Sequence, residues 1–497
     1  MAAFPSSAAA APVVVLGPRG HAVTHNDPFV TGPALTPAPA RGAGDASAAT
    51  NLGALASAAA VSGGTVSGGA AKSGKRKPAP KPEPTVASEL ARLYHRHQIT
   101  LAADRTDTAS FNHALAAERR LEGTRRTELS AVTENLHEMA ASGSLTASRL
   151  PVLFDTLERN REWWTTGPLL TSGERVEFTD SQLVWEYYAG QGIELQVLGS
   201  FGKADGLYTA GPADYPALHS LLAEIIPLAA QRGGGLTWEY YFNFDGGRPP
   251  WTSAMSQATG LESLSRAYEA FHDPTYLDVA RQALAIFNDR PPVGVRIPTS
   301  LGTRFLQYSF APGTSIINAF LQTLIGLYDY AKVSGSAQAM KLFDAGNAEA
   351  LAEVPHFDTG AWSLYRPGLE DPLSYHQLVT GFLQQLCART AAPVYCTTAQ
   401  HFQADLTTAP VLSLLTGRAR VHKPTSIRFR LSKISRVGII VLAGSSAIFS
   451  TSATFAHGAG SFSIPQPKRT GVYTVRLSAT DLAGNFNRIV GTLSVSR

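Results

Sequence analysis

The side chains that could carry chemistry lie in loops and helix starts between residues 239 and 376. Glu239 stands beside two tyrosines, and Asp245 precedes a glycine pair. Two carboxylates opposed across a glycosidic bond would indicate a glycoside hydrolase, but no compelling pair exists beyond these two, so hydrolysis is disfavoured. The sequence contains no phosphate-binding glycine loop, nucleotide fingerprint or clustered metal-ligand motif. It therefore predicts neither a metal nor an organic cofactor.

Repeated helix pairs must position these residues. Apolar residues recur at helical spacing in 253–271, 314–333 and 374–390, and 398–415 is predicted as the partner of the last helix. The helices are joined by loops rich in glycine and proline that carry aromatic and acidic residues. This pattern favours an α/α toroid, an incomplete (α/α)6 barrel whose loops at one rim form the site.

The flanking regions give a multidomain chain of α plus β type. Residues 1–86 are rich in Ala, Gly, Pro and Ser and are predicted to be disordered, apart from short strands near 13–16 and 27–30. Residues 87–172 read as helical and 173–418 as the toroid. After residue 423 the apolar period becomes two, which predicts an immunoglobulin-like or fibronectin-like β-sandwich over 423–497.

Composition restricts the partners and the compartment. The formal charge is +4, and the basic run 72–81 lacks interleaved aromatics, so it reads as a solvated linker and no nucleic-acid partner is expected. No stretch has the ~18 apolar residues of an integral membrane segment. Cys387 and Cys396 could form a disulfide or remain two thiols. The small, apolar N-terminus is a weak export signal and suggests an extracellular or cell-envelope location.

Four sequence blocks resemble the C-terminal half of D-glucuronyl C5-epimerases. They are Asn243–Ala258, Gln307–Asp329, Asp358–Tyr365 and Tyr375-His376, within roughly residues 190–415. The resemblance implies an isomerase that inverts C5 of D-glucuronosyl units within a polysaccharide without breaking the chain. It implies a uronate-containing polysaccharide as partner and a bacterial, secreted-type architecture, and it leaves room for a homodimer.

The resemblance also assigns roles to individual residues. Tyr308 and Tyr375 match as the acid/base set, and Tyr365 would orient the sugar. Arg366 or Arg304 would neutralise the uronate carboxylate. The remaining residues expected to bind substrate are Gln307, Trp251, Asp245, Glu239 and His376, with Trp251 stacking on a sugar face and His376 more suited to packing at the helix start.

Two departures from the family pattern keep other functions open. Gln307 stands where the family has a glutamate, and Arg366 directly follows Tyr365, whereas the family's arginine lies a few residues later. A polysaccharide lyase would begin from the same C5 carbanion. A non-catalytic glycan-binding protein would keep the fold without the chemistry.

Overall fold

The computed structural model describes residues 11–17, 20–30 and 83–497. Most of the segment expected to be disordered therefore lies outside the described residues, and for 31–82 the expectation stays a prediction. The first described helices form a bundle in which each contacts its sequence neighbour. Their bounds are α1 Val86–His95, α2 Leu101–Glu118, α3 Gly123–Ala141 and α4 Leu150–Thr166.

A five-stranded sheet joins the N-terminal segment to the rest of the chain. Its strands are β1 Ala11–Leu16, β2 Ala22–Asp27, β3 Arg175–Phe178, β4 Trp185–Tyr188 and β5 Gly192–Leu195, in the order β2-β1-β3-β4-β5. The short strand expected near 13–16 is present within β1, whereas the prediction of disorder is wrong for residues 22–26. The valine run of β1 pairs in parallel with β3, and Val13 is fully buried. The second strand, expected at 27–30, ends at Asp27 instead of beginning there.

The toroid region contains four helical hairpins. Helices α5, α7, α9 and α11 pack on one another in succession, and each packs against the helix that follows it. The predicted incomplete barrel matches this arrangement. The helices are α5 Val197–Ala210, α6 Tyr215–Ile225, α7 Ala254–Phe271, α8 Thr275–Ala283, α9 Ile317–Ser334, α10 Ala337–Glu353, α11 Leu373–Thr390 and α12 Pro393–Asp405.

The structure differs from the predicted elements at two places. Residues 197–210 form helix α5 despite their three glycines, because an apolar face with Phe201, Ala204 and Leu207 is buried. The predicted helix 398–415 starts earlier and ends at Asp405. Cys387 of α11 and Cys396 of α12 are joined by a disulfide, which settles the alternative left open by the sequence.

Short two-stranded hairpins occupy the loops between these helices. They pair β6 Ala230–Arg232 with β7 Gly235–Thr237, β8 Arg296–Pro298 with β9 Thr303–Phe305, and β10 Leu364–Arg366 with β11 Leu369–Glu370. The N-terminal bundle, the five-stranded sheet and the hairpins share one apolar core from Leu16 to Phe402. Residue 172 is therefore not a boundary between two cores, and we call residues 83–411 with the N-terminal strands the helical body.

Two sheets form the C-terminal region and enclose a separate apolar core. The strands are β12 Leu412–Leu414, β13 Arg418–Arg420, β14 Thr425–Leu431, β15 Ser435–Ala443, β16 Ser446–Phe455, β17 Gly458–Ile464, β18 Gly471–Asp481 and β19 Phe486–Ser496. One sheet has the order β12-β14-β17 and the other β13-β19-β18-β15-β16. This sandwich begins near residue 412, earlier than expected, and its immunoglobulin or fibronectin kinship stays a prediction.

Hydrogen bonds and ion pairs attach the sandwich to the helical body. Buried Lys433 pairs with Asp481 at 2.8 Å and donates to the carbonyl oxygens of Asp405 and Thr408. The Glu370 carboxylate of β11 accepts the backbone N–H groups of Ile434 (2.8 Å) and His457 (2.7 Å). The β10–β11 hairpin is therefore held by both regions. Within the described residues, no helix has the length and apolarity to cross a membrane.

Candidate functional site

Three tyrosines from separate elements meet at one rim of the helical body. Tyr308 follows β9, Tyr365 lies in β10, and Tyr375 is in the first turn of α11. Tyr308 and Tyr365 share a side-chain hydrogen bond, and the rings of Tyr365 and Tyr375 meet edge to face at 5.4 Å. All three are at most 8% exposed. The sequence prediction that these tyrosines belong together agrees with this geometry.

Burial sets the protonation state of the phenols. Burial raises the pKa of Tyr308 well above its usual value, and it raises the pKa of Tyr365 to about 12. The shared hydrogen bond lowers the pKa of Tyr365 and raises that of Tyr308. Both phenols are neutral at pH 7, and Tyr365 is the one whose phenolate the pair stabilises.

A loop with two constrained glycines carries Asp245 beside the tyrosines. Asp245 has a positive φ of 45° and is exposed, and its negative charge raises the pKa of Tyr308 and Tyr365. Gly246 has a φ of 83°, and a Cβ on Gly247 would lie 2.3 Å from the ring of Phe310. That ring stacks on Tyr308 at 5.3 Å. The loop is therefore packed directly against the ring that supports Tyr308.

Asp371 is a buried acid near the tyrosines that the sequence analysis missed. It is 1% exposed, one oxygen accepts the Ser363 hydroxyl at 2.6 Å, and the other has no partner among the described residues. Burial raises the pKa of Asp371 to about 7, and its charge in turn raises the pKa of Tyr365. A single acidic residue before a proline matches no sequence motif, so the proximity of Asp371 to the tyrosines is visible only in the folded structure.

His376 is fully buried and is linked to Asp371 through the Ser363 hydroxyl. Its Nδ1 lies 2.8 Å from the Ser363 hydroxyl, its Nε2 lies 2.9 Å from the carbonyl oxygen of Phe402, and its ring stacks on Trp362 at 3.8 Å. Burial lowers the pKa of His376 to about 4, so the ring is neutral. These contacts argue against substrate binding by His376 and agree with the expectation that it packs at the helix start.

Glu239 is likewise a structural residue. Its side chain is fully buried between two arginines: Arg149 approaches through two nitrogens at 2.7 and 2.9 Å, and Arg232 through one at 2.6 Å. The Tyr241 hydroxyl also donates to it at 2.9 Å. Both oxygens are thus occupied, which argues against the expected contact of Glu239 with substrate. The partner at position 149 lies ninety residues away, beyond the reach of sequence patterns.

Trp251 and Arg304 are also occupied by the protein itself. Trp251 is 1% exposed, stacks on Tyr240 at 4.3 Å and donates its indole N–H to the carbonyl of Phe242, so it has no free face for a sugar. Arg304 pairs with Glu349 and Glu353 of α10. Those two carboxylates already balance its charge, which argues against the expected uronate contact.

Gln307 and Arg366 remain beside the tyrosines. Gln307 is 6% exposed, and its side-chain oxygen accepts the Ser253 hydroxyl at 3.4 Å, next to Tyr308. Arg366 follows Tyr365 in β10, is half-buried, and its positive charge lowers the pKa of Tyr365. Of the two arginines considered for the uronate, Arg366 is therefore the one near the phenols.

One group of potential metal ligands occurs in the described ranges, at the edge of the five-stranded sheet. It consists of His25, Asp27 and Glu177. Lys203 already binds the two carboxylates, at 2.9 Å from Asp27 and 2.6 Å from Glu177. The acids are thus neutralised by an ammonium group, and the cluster lies outside the tyrosine site.

Comparison with known proteins finds similarity in the part of the chain that contains the three tyrosines. Residues 233–404 match the family described as D-glucuronyl C5-epimerase C-terminus. A D-glucuronyl C5-epimerase of Caenorhabditis elegans is 32% identical over 130 residues, which cover 24% of this chain and 21% of that protein. An uncharacterized protein of Methanocaldococcus jannaschii is 28% identical over 137 residues, covering 26% of this chain and 44% of its own. This chain thus aligns with less than half of either relative.

Solved structures overlap only in part. A GH76 α-mannanase of Bacteroides thetaiotaomicron superposes with a TM-score of 0.33 and 13% identity, over 42% of this chain and 59% of that one. The unsaturated glucuronyl hydrolase of Bacillus sp. GL1 gives a TM-score of 0.29 and 12% identity, over 57% and 72%.

Proposed function

We propose that the protein is an epimerase that inverts C5 of uronosyl residues within a polysaccharide. The observation that carries this proposal is the cluster of Tyr308, Tyr365 and Tyr375 inside the segment that matches the epimerase family. The hydrogen at C5 is adjacent to a carboxylate and is very weakly acidic. Its removal needs a positioned base, an acid on the opposite face and a cation beside the developing enediolate.

The hydrogen-bonded tyrosine pair suggests how a proton could move. The hydrogen bond between Tyr308 and Tyr365 favours the phenolate of Tyr365 over that of Tyr308. We propose that Tyr365 takes part in the proton transfer together with Tyr308, in addition to the orienting role suggested by the resemblance. Tyr375, edge-on to Tyr365, would exchange a proton at the other face of the sugar. Tyr308 and Tyr365 are both neutral at the start, so removal of the C5 proton must be concerted with a second proton transfer or must follow loss of a phenolic proton.

Charge neutralisation falls to Arg366 in this proposal. It adjoins Tyr365 in the same strand, and its positive charge lowers the pKa of Tyr365. A guanidinium can bind a carboxylate through two parallel hydrogen bonds, which would both fix the sugar and stabilise charge moving onto the carboxylate. Gln307 would contribute an amide where the family has a charged group, so it can bind a hydroxyl but cannot accept a proton.

The test is incubation of the protein with uronate polymers in deuterated water, followed by NMR of the C5 position. Incorporation of deuterium at C5 without chain cleavage is the expected result. Tyr308→Phe and Tyr375→Phe should each abolish it. The same sample is read by ultraviolet absorbance, because elimination from the C5 carbanion gives an unsaturated product and would reassign the protein as a lyase. Absence of exchange on every polymer that binds would overturn catalysis and leave a glycan-binding protein.

A further inference from the structure

The sandwich has a charge balance opposite to that of the helical body. Residues 412–497 contain twelve lysines and arginines and a single acid, Asp481, whereas residues 83–411 contain 23 basic and 35 acidic residues. Asp481 is buried and paired with Lys433, so it contributes nothing to the outer surface. The exposed charge of the sandwich is therefore wholly basic apart from the chain's end.

Five arginines lie on the outward face of one sheet. The register of the five-stranded sheet places Arg476 of β18 opposite Val490, and Arg488 of β19 opposite Ser478, so the two arginines are diagonal neighbours about 7–8 Å apart. All five are exposed, and within the described residues none of them forms an ion pair. We call this surface the arginine face; its cations are Arg418, Arg420, Arg436, Arg476 and Arg488.

Hydroxyl groups and apolar side chains share this face. Ser478 and Ser494 lie opposite arginines across the strands, and Ser452 accepts the guanidinium of Arg436 at 3.1 Å. Phe486 and Val490 of β19 are 57% and 66% exposed. Guanidinium groups suit carboxylates or sulfates, hydroxyls suit sugar hydroxyls, and exposed apolar side chains suit the C–H faces of sugar rings. Exposed arginine beside apolar surface is typical of a binding site rather than of a spacer.

We infer that the arginine face is a binding surface for an acidic polysaccharide, separate from the tyrosine site. The choice of a polysaccharide among polyanions rests on the proposed function, whereas the presence of an anion-binding face does not. Single-stranded nucleic acid is normally bound on several aromatic platforms, and this face has one aromatic ring, Phe486. The helical body, with its excess of acids, repels a uronate polymer at long range, and the sandwich supplies the attraction that holds it near.

The test measures binding of the full chain to polygalacturonate, which has one carboxylate per sugar, with neutral dextran as control. Binding to polygalacturonate that weakens as NaCl is raised is expected, with none to dextran. The double variant Arg476→Ser/Arg488→Ser should lose at least about fivefold in affinity, because two guanidinium contacts to carboxylates are removed together. Thermal unfolding of this variant should be unchanged, because both side chains are exposed.

The matched control is Arg428→Ser/Arg430→Ser. Both residues are exposed on β14, on the outer side of the opposite sheet, and their removal changes the net charge by the same amount. This variant should lose less than about twofold in affinity. Equal losses in the two double variants would overturn the arginine face, because diffuse attraction to a basic domain would then suffice. Failure of the wild-type chain to bind polygalacturonate would overturn it as well.

Two further experiments test which class of ligand binds the arginine face and whether the proposed epimerase activity holds independently of it. Tighter binding to double-stranded DNA or to phosphatidylserine vesicles than to polygalacturonate would overturn the assignment to a polysaccharide. Exchange at C5 is measured in parallel on short uronate oligosaccharides, where Arg476→Ser/Arg488→Ser should retain the wild-type rate. Binding without exchange would defeat the proposed function alone, and exchange without binding to the face would defeat this inference alone.

Discussion

The helical body buries its charged side chains in networks, whereas the sandwich buries a single pair. In the helical body Glu239 is held by Arg149 and Arg232, and Lys203 by Asp27 and Glu177. In the sandwich, Lys433 and Asp481 lie at the junction and the rest of the core is apolar. These charged networks join segments of the helical body that lie far apart in sequence. The sandwich needs only an apolar core because, on our inference, its function lies on its surface.

The largest effect we expect is on catalysis and only in the helical body. Tyr308→Phe should lower the rate of C5 exchange by at least about 100-fold, since one acid/base group contributes about 10²–10⁴. Tyr395→Phe is the matched control, because it also removes one hydroxyl from a buried tyrosine, here one bonded to Asn347 at 2.8 Å. Loss of exchange in both variants to the same extent would mean that the hydroxyl at 308 has no special role.

Substituting one charged residue in each buried cluster tests whether the two regions depend on these ion pairs for stability. Glu239→Gln leaves two guanidinium groups without their carboxylate, and Lys433→Met leaves Asp481 unpaired in the junction. Each should lower the free energy of unfolding by about 3–5 kcal/mol in urea titrations. Glu239→Gln should destabilise the helical body, and Lys433→Met should weaken the attachment of the sandwich to the helical body.

Lys423→Met serves as the control for the junction, since Lys423 is exposed. It should change the free energy of unfolding by less than about 0.5 kcal/mol. A similar loss in Lys423→Met and Lys433→Met would contradict the role given to the buried pair.

The last expected effect is a pH dependence of the free energy of unfolding, caused by Asp371. Its pKa is raised to about 7 in the folded protein, so the folded state holds a proton that the unfolded state releases near pH 4. The stabilisation from this group is present below pH 4 and is lost as pH rises through 7, by up to about 4 kcal/mol. Asp371→Asn should remove this decline. Parallel unfolding curves of wild type and Asp371→Asn from pH 4 to 7.5 would contradict the assignment.

The sequence identified the three tyrosines of the rim, but it did not show which surrounding residues are occupied by partners within the protein. Tyr308, Tyr365 and Tyr375 are grouped by the resemblance of their sequence blocks to the epimerase family. Apolar spacing predicts helices but not the short hairpins that precede Tyr308 and contain Tyr365. Whether Glu239, Arg304 or His376 faces a substrate depends on partners in distant segments, such as Arg149, Glu349 and Phe402. Spacing within a segment carries no information about those partners. The same holds for β1, whose pairing with β3 joins residues about 160 positions apart.

The two neighbouring glycines of the Asp245 loop should diverge differently over evolutionary time. Gly246 is constrained by its backbone, with a φ of 83° and open space around a Cβ, so asparagine, which tolerates this conformation, can replace it. Gly247 is constrained by volume, because any side chain would enter the ring of Phe310. In a saturation library selected for turnover, position 246 should therefore accept a second residue type while position 247 accepts glycine alone.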